Sequence, residues 1–368
     1  MSKITDSAFI IFLLFLFLTP LLLAFVFPVA SQQPTPAFSI VKTTDTSQYF
    51  SPVPDPAGIT YHPSIDRLII TDSEIDEMAI FNSDNIFTSH MDGTLNFTSN
   101  TIAFSKEPTG ISYEPVENLY YFSDDDRDRI FIVNPGPNDF IGDFDDTVTN
   151  FSTASQGATD LEGLFVKGQS IFIAGGIDKK IYEFSLQGIL LNSYDVSKYG
   201  IMDFEGITIH PITGNFFILA RTPKEILELD RSGNLLNRIP IFSLNSVAPS
   251  DLVFAPSSNP EDNPSSINLY ITDRGVDNNA DPNENDGKLY EISFPLTNSP
   301  SQPPPSLTPT IINRNGDANG DGKVDGIDYV VWLNNFNKEV FGPSKGDFDS
   351  NGFVDGIDYV IWLNNFRK

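Results

Sequence analysis

The sequence predicts a mainly β chain: a five-bladed β-propeller, with a six-bladed ring as the alternative, then a Pro-rich linker and a small α-helical calcium-binding domain. Three observations predict it. A short motif recurs along the body as "DPAGITYHP" from Asp55, "EPTGISYEP" from Glu107, "DLEGLFVKG" from Asp160, "DFEGITIHP" from Asp203 and "APSDLVFAP" from Ala248. Its alignment column holds Gly58, Gly110, Gly163, Gly206 and Asp251, spaced 52, 53, 43 and 45 residues apart, the range of propeller blades. Each motif is followed by further short β-branched and aromatic runs bounded by Gly, Asp, Asn and Pro, with no long stretch of helical period. Finally, the chain ends in two near copies of one acidic segment.

The elements follow in order. Residues 1–31 read as an export signal: Lys3, the apolar run Ala8 to Phe27, then Val29-Ala30-Ser31 for signal peptidase. About 20 apolar residues also suffice to span a bilayer, so an uncleaved anchor is the alternative. Either way the rest of the chain is expected outside the cytoplasm, extracellular or at the cell surface. Residues 37–297 form the propeller. One blade cannot bury both its faces, so blades of about four strands pack radially around a channel. The segment "FSIVKTTD" from Phe38 is a candidate for the strand that closes the ring. Residues 298–314, with five Pro, read as a semi-rigid spacer, and residues 315–368 form the tail domain.

The chain carries net charge −27 across 368 residues, which repels nucleic acid and attracts cations. It has no Cys, which excludes disulfides, thiolate metal sites and Cys catalysis, and its three His disfavour a multi-His metal site.

The tail copies, aligned from Asp317 and Asp347, agree at 14 of 20 positions. Loop positions 1, 3, 5 and 12 hold Asp317, Asn319, Asp321 and Asp328 in copy one, and Asp347, Asp349, Asn351 and Asp358 in copy two. Calcium takes six to eight oxygens, and alternate residues of a tight loop supply the first three. Position 7, Lys323 or Phe353, would give a backbone carbonyl, and Gly322 or Gly352 at position 6 makes the sharp turn. Two calcium ions are expected here. The helix after each loop is expected to pack against its twin through Val330, Leu333 and Phe336 and their equivalents. Trp332 and Trp362 suit a core role and a recognition role equally.

From about Asn315 to Lys368 the tail resembles the type I dockerin module, whose paired loop–helix repeats bind calcium and a cohesin domain. The resemblance implies a cohesin-like scaffold or cell-surface partner. Asp at position 12 and the absence of an entering helix fit that family. The hydroxyl pair often found at positions 10 and 11 is replaced by Gly326-Ile327 and Gly356-Ile357, which points away from a cellulosome-type cohesin. The body, on "GITYHP", "GISYEP", "GITIHP" and the Glu162-Gly163 and Glu205-Gly206 pairs, resembles the SdiA-regulated propellers and their NHL-repeat relatives. That resemblance implies five blades and a calcium site; in blades one and two Ala57 and Thr109 replace the Glu.

Within the body, Glu162 and Glu205 precede the column residue and are expected near the channel. Asp72 and Asp273 end second strands, and Asp124 lies near that place. A hard-metal site, adding one ion, and a set of turn-capping acids are both consistent with these residues. His62 and His210 share a turn column and read as structural, and His90 stands alone. No nucleophile elbow or phosphate loop appears. The expectation is therefore an exported calcium-binding protein, attached through its tail and presenting a propeller to an extracellular glycan or small molecule. A metal-dependent hydrolase of an ester, phosphoester or polysaccharide is the alternative, and whether the chain is an enzyme stays open at this level.

Overall fold

The computed structural model describes residues 38–75, 78–79, 83–276, 280–294, 316–319, 323–338, 340, 342–349 and 351–366. The signal, the linker, Asn315, Asp321 and Gly322 lie outside the described residues. Among the described residues no helix is long and apolar enough to cross a membrane.

Strand β1 spans Ser39–Asp45. Blade one is β2 (Pro56–His62), β3 (Arg67–Asp72), β4 (Ile86–His90) and β5 (Leu95–Ser99). Blade two is β6 (Pro108–Glu114), β7 (Leu119–Asp124), β8 (Arg129–Asn134) and β9 (Thr147–Ser152). Blade three is β10 (Leu161–Lys167), β11 (Ser170–Gly175), β12 (Lys180–Ser185) and β13 (Leu190–Asp195). Blade four is β14 (Asp203–Ile209), β15 (Phe216–Thr222), β16 (Glu225–Leu229) and β17 (Leu235–Pro240). Blade five is β18 (Pro249–Pro256), β19 (Ile267–Asp273) and β20 (Lys288–Ser293), with β1 as its outermost strand.

The ring therefore has five blades, and the Phe38 segment closes it. Strand β1 runs antiparallel to β20, from Ser39 opposite Ser293 to Asp45 opposite Lys288. The closure is held by apolar burial as well as by the ladder, since Phe38 joins Leu252, Ile271 and Ile292 in one core cluster. Similar clusters fill the spaces between neighbouring blades, for example Ile111, Phe122 and Phe131 with Ile69 and Ile86 of blade one.

The innermost strands are β2, β6, β10, β14 and β18, and they share one irregularity. The ladder to the second strand slips at Pro56/Ile59, Pro108/Gly110, Leu161/Leu164, Phe204/Gly206 and Pro249/Leu252. A bulge bends a strand and re-aims its side chains. The column residue sits at this bend, on the axis. A Cβ on Gly58 would lie 2.7 Å from Gly110 Cα, and one on Gly110 would lie 2.8 Å from Gly163 Cα. Four blades lack a side chain there, and the space is taken by one: Asp251 Oδ1 would stand 2.4 Å from a Cβ on Gly163 and 2.6 Å from one on Gly206. Asp251 Oδ2 accepts the Ile59 N–H at 3.0 Å, while Oδ1 has no hydrogen-bond partner. Burial holds this carboxyl well above the ordinary range, and it plugs the neck.

In the tail, α1 spans Gly326–Asn335 and α2 spans Gly356–Asn365. Each opens on a reciprocal capping box, Asp325 with Asp328 and Asp355 with Asp358. The two copies exchange one hydrogen bond each way: Trp332 Nε1 donates to Asp355 O at 2.8 Å, and Trp362 Nε1 donates to Asp325 O at 2.9 Å. Both indoles are buried in a shared cluster with Val324, Phe348 and Val354.

The expected helix face is thus corrected. Val330 and Leu333 are 49% and 51% exposed, as are Val360 and Leu363 in α2 to a like degree, and Phe336 is 41% exposed. The inward face is that of Asp328, Tyr329 and Trp332. A buried indole N–H needs an acceptor, and only this rotation brings each Trp to the other copy's N-cap carbonyl.

Candidate functional site

The bulge decides what enters the channel. The residue before the column lies at each bend: Ala57, Thr109, Glu162, Glu205 and Ser250. Across the ladder, the residue after the column faces Ile70, Phe122, Ile173, Ile218 and Ile271, so the second strands reach one level at Asp72, Asp124, Gly175, Ala220 and Asp273. The next position holds Ser73, Asp125, Gly176, Arg221 and Arg274. Three residues before the column stand Asp55, Glu107, Asp160, Asp203 and Ala248. These rings build an acidic mouth at the strand-start end.

Asp125, Asp160 and Glu162 bring one carboxylate oxygen each to within 4.8 Å of one another. Gly176 makes the room, since a Cβ there would lie 2.3 Å from Asp160 Oδ2 and 3.2 Å from Glu162 Oε1. Beside them, Arg274 Nη1 contacts Glu74 Oε1 at 3.0 Å and its Nε lies 3.6 Å from Asp55 Oδ1. Arg221 Nε contacts Asp203 Oδ2 at 2.7 Å and its Nη2 lies 2.7 Å from Glu205 Oε1. That last contact is out of line for a hydrogen bond. Both oxygens of Asp55 and both of Glu205 are buried without a hydrogen-bond partner. Asp55, Glu74, Asp125, Asp160, Glu162, Asp203 and Glu205 thus share two guanidiniums, those of Arg221 and Arg274.

The electrostatics follow from crowding. Burial pushes Glu162 up to about 8, against the pull of Arg274, with Asp125 and Asp160 pushing the same way as burial. Burial, then Glu162, holds Glu205 well above the usual range, and burial does the same for Asp55. Arg274 is held more firmly charged: burial opposes its charge, and Asp55, Glu162 and Glu205 outweigh that.

A pH dependence follows. An acid whose folded value lies above its unfolded one stabilises the fold fully below the unfolded value and loses that contribution as pH rises through the folded one. For Glu162 the window runs from its ordinary 4.5 to about 8. In chelator, melting temperature is expected to fall across this window, and less steeply for Glu162→Gln. A flat profile from pH 5 to 8 would contradict the burial of these charges.

Of the acids singled out in sequence, Glu162 and Glu205 enter the mouth and the others do not. Asp72 accepts the N–H groups of Asp55 and Glu74 at 3.2 and 3.3 Å, and burial raises it to about 7. Asp273 accepts the Ala248 N–H at 2.7 Å, the Val247 N–H at 3.0 Å and the Tyr290 hydroxyl at 3.3 Å. Asp124 accepts the Ser105 hydroxyl at 2.8 Å and the Arg127 N–H at 3.0 Å. These three hold turns. His210 Nδ1 accepts the N–H groups of Ile212 and Thr213 at 3.2 Å, a turn role, and His62 stacks on Tyr113 at 3.8 Å. Sequence reasoning passed over Asp125, Asp160, Arg221 and Arg274. The signal was present: an acid opens four of the five motifs, and Asp125 and Arg274 each follow an acid already singled out.

The tail holds a second acidic site. In copy two, Asp347, Asp349 and Asp358 bring oxygens within 4.8 Å of one another. Asp358 Oδ1 accepts the N–H groups of Phe348 and Asp349 at 2.6 and 3.1 Å, and its Oδ2 accepts that of Asp355 at 2.8 Å. Asp347 Oδ2 accepts the N–H groups of Gly342 and Gly352 at 2.9 and 3.2 Å, whereas Oδ1 is buried without a partner. Asn351 Oδ1 accepts the Phe353 N–H at 2.8 Å. Copy one repeats the framework, with Asp328 Oδ1 accepting from Ala318 and Asn319 at 2.8 and 3.1 Å and Oδ2 from Asp325 at 2.8 Å. Asp317 and Asn319 lie in the same loop, as does Lys323.

No protein-family model matches the chain, and no curated protein does. Many solved structures match part of the chain. A catalytically inactive virginiamycin B lyase from Staphylococcus aureus, solved with quinupristin, is 15% identical, with 65% of this chain and 66% of that one covered and a TM-score of 0.38. Glutaminyl cyclase from Myxococcus xanthus is 10% identical over 70% of this chain and 98% of that one, with a TM-score of 0.46. A nidogen/laminin complex chain is 16% identical over 59% and 72%, with a TM-score of 0.39. At these levels the likeness says nothing of activity.

Proposed function

We propose that the chain is an exported calcium-binding protein. Its tail attaches in calcium to a cohesin-like or cell-surface partner, and its propeller presents a cation-loaded mouth to an extracellular ligand. The observation that carries the reading is the trio Asp347, Asp349 and Asp358, with a buried oxygen of Asp347 left without a donor. Three carboxylates so close repel one another, and a hard cation is the group that satisfies all three. Asn351 and the Phe353 carbonyl are the remaining protein ligands of that loop. Asp317, Asn319, Asp321, the Lys323 carbonyl and Asp328 would hold the second ion.

The mouth supports the same chemistry on its own terms. Asp125, Asp160 and Glu162 fit a divalent cation by oxygen donors alone, with Glu205 beside them. Arg221 and Arg274 orient the flanking acids. The ion would supply positive charge where the carboxylates crowd.

Attachment has a surface of its own. Ile327, Val330 and Leu333 form one exposed apolar stripe, and Ile357, Val360 and Leu363 form its symmetric equivalent. A purified surface partner or cohesin-type domain is expected to bind the full chain in calcium and to release it in chelator. Leu333→Asp with Leu363→Asp should abolish binding while leaving calcium affinity unchanged. Binding that survives chelation would overturn the attachment reading.

A further inference from the structure

The channel end opposite the acidic mouth opens into a cavity of about 580 Å³. Tyr61, Tyr113, Phe165 and Phe254 are among its walls, each two or three residues past the neck. Hairpin tips around it hold apolar side chains in the open, with Val116 83% and Ile212 78% exposed. Other propeller residues complete most of the wall, and two residues of the tail, Asn351 and Phe353, line the same cavity.

Phe353 is also a place where the two tail copies part. Copy one has Lys323 there. Position 7 of the loop contributes its carbonyl to an ion, so its side chain is free of that duty. Copy one places a lysine side chain there. Copy two places an aromatic ring there and leaves it 37% exposed. An exposed aromatic beside an aromatic-walled cavity lowers its free energy by entering it. Its presentation depends on loop order, since Asn351 Oδ1 accepts the Phe353 N–H and Asp349 Oδ1 accepts the Asn351 N–H at 3.1 Å.

We propose that the second calcium loop docks, Phe353 foremost, into the aromatic end of the propeller's own channel, so that calcium at Asp347, Asp349 and Asp358 closes that end. The inference rests on the calcium reading of the tail and goes beyond it. Copy two serves the propeller, which leaves copy one and its stripe for an external partner.

Hydrogen exchange on the full chain tests this, in calcium and in chelator, read at the hairpin tips 63–66, 115–118 and 211–214. Calcium is expected to slow exchange at these tips by about threefold or more. Phe353→Lys, which installs the residue of copy one, and Val116→Asp on the facing rim should each remove the slowing. Calorimetry on Val116→Asp should show calcium binding unchanged. Calcium binding with identical tip exchange in all three proteins would overturn the docking alone. No calcium binding in the parent chain would overturn the tail reading and the docking together. Slowing that persists in chelator would overturn the control by calcium.

Discussion

Chelating calcium is expected to collapse the tail while the propeller stays folded. The reason is the balance of forces in a domain of about fifty residues. Helices of ten residues, such as α1 and α2, do not persist alone in water. They are held by a small cluster around Trp332 and Trp362 and by two reciprocal indole bonds. Against this stand the buried Asp328, Asp347 and Asp358, with Asp347 Oδ1 lacking any donor. Leaving a buried charge unpaired costs several kcal/mol, which is of the order of the whole stability of so small a domain. Tryptophan fluorescence should red-shift on chelation and the helical circular dichroism should vanish, with the strand signal intact. Both Trp residues of the chain lie in this cluster, so the fluorescence reports the tail alone. Asp347→Ala should abolish one calcium site and make the tail unfold at calcium levels the parent tolerates. An unchanged tryptophan spectrum in chelator would show that the apolar cluster suffices without the ion.

Gly110→Ala is expected to destabilise the propeller strongly. The added Cβ would stand 2.7 Å from Ser123 Oγ, 2.8 Å from Gly163 Cα and 2.9 Å from Glu162 O. The hydroxyl can rotate away, but the two backbone atoms cannot, because they belong to the next blade's innermost strand. Overpacking of this kind costs about 3 kcal/mol, or roughly 6–12 °C in melting temperature for a domain of this size. The strain falls on the Glu162-Gly163 bend, so cation binding at the mouth should weaken in the same variant. Gly157→Ala is the control for lost backbone freedom: its φ is +81° but nothing lies within 4 Å of its Cβ position. If Gly110→Ala melts no lower than Gly157→Ala, the close packing at the neck does not limit stability.

Much of this architecture was legible in the sequence because the neck has room for one side chain among five blades. Sterics force the column to repeat, and so Gly58, Gly110, Gly163 and Gly206 marked the blades before any strand was placed. Closure by β1 was suggested but not decided, since its partner β20 begins more than 240 residues later and no local signal links them. In the mouth, Glu162 and Glu205 were legible from their place beside the column. Arg221, Arg274 and Asp125 were not, because they reach the axis from the second strand, and only the ladder register shows which residue leaves it level with the bulge. Asp72 and Asp273 carried the same residue type as true mouth acids, yet nearby backbone N–H groups claim their oxygens. The helix face of the tail failed for another reason. Tyr329 to Leu333 is a continuous apolar run that covers every direction around the helix, so periodicity has nothing to select. The need of each Trp N–H for an acceptor made the choice.

The most direct test is a calorimetric calcium titration of the chain lacking residues 1–31, beside Glu162→Gln and Asp347→Ala. The account predicts two ions in the tail and a further divalent site in the propeller. Asp347→Ala should remove one tail site, and Glu162→Gln should remove the propeller site alone. If the parent binds no calcium, or if Asp347→Ala binds as many ions as the parent, the central claim is contradicted.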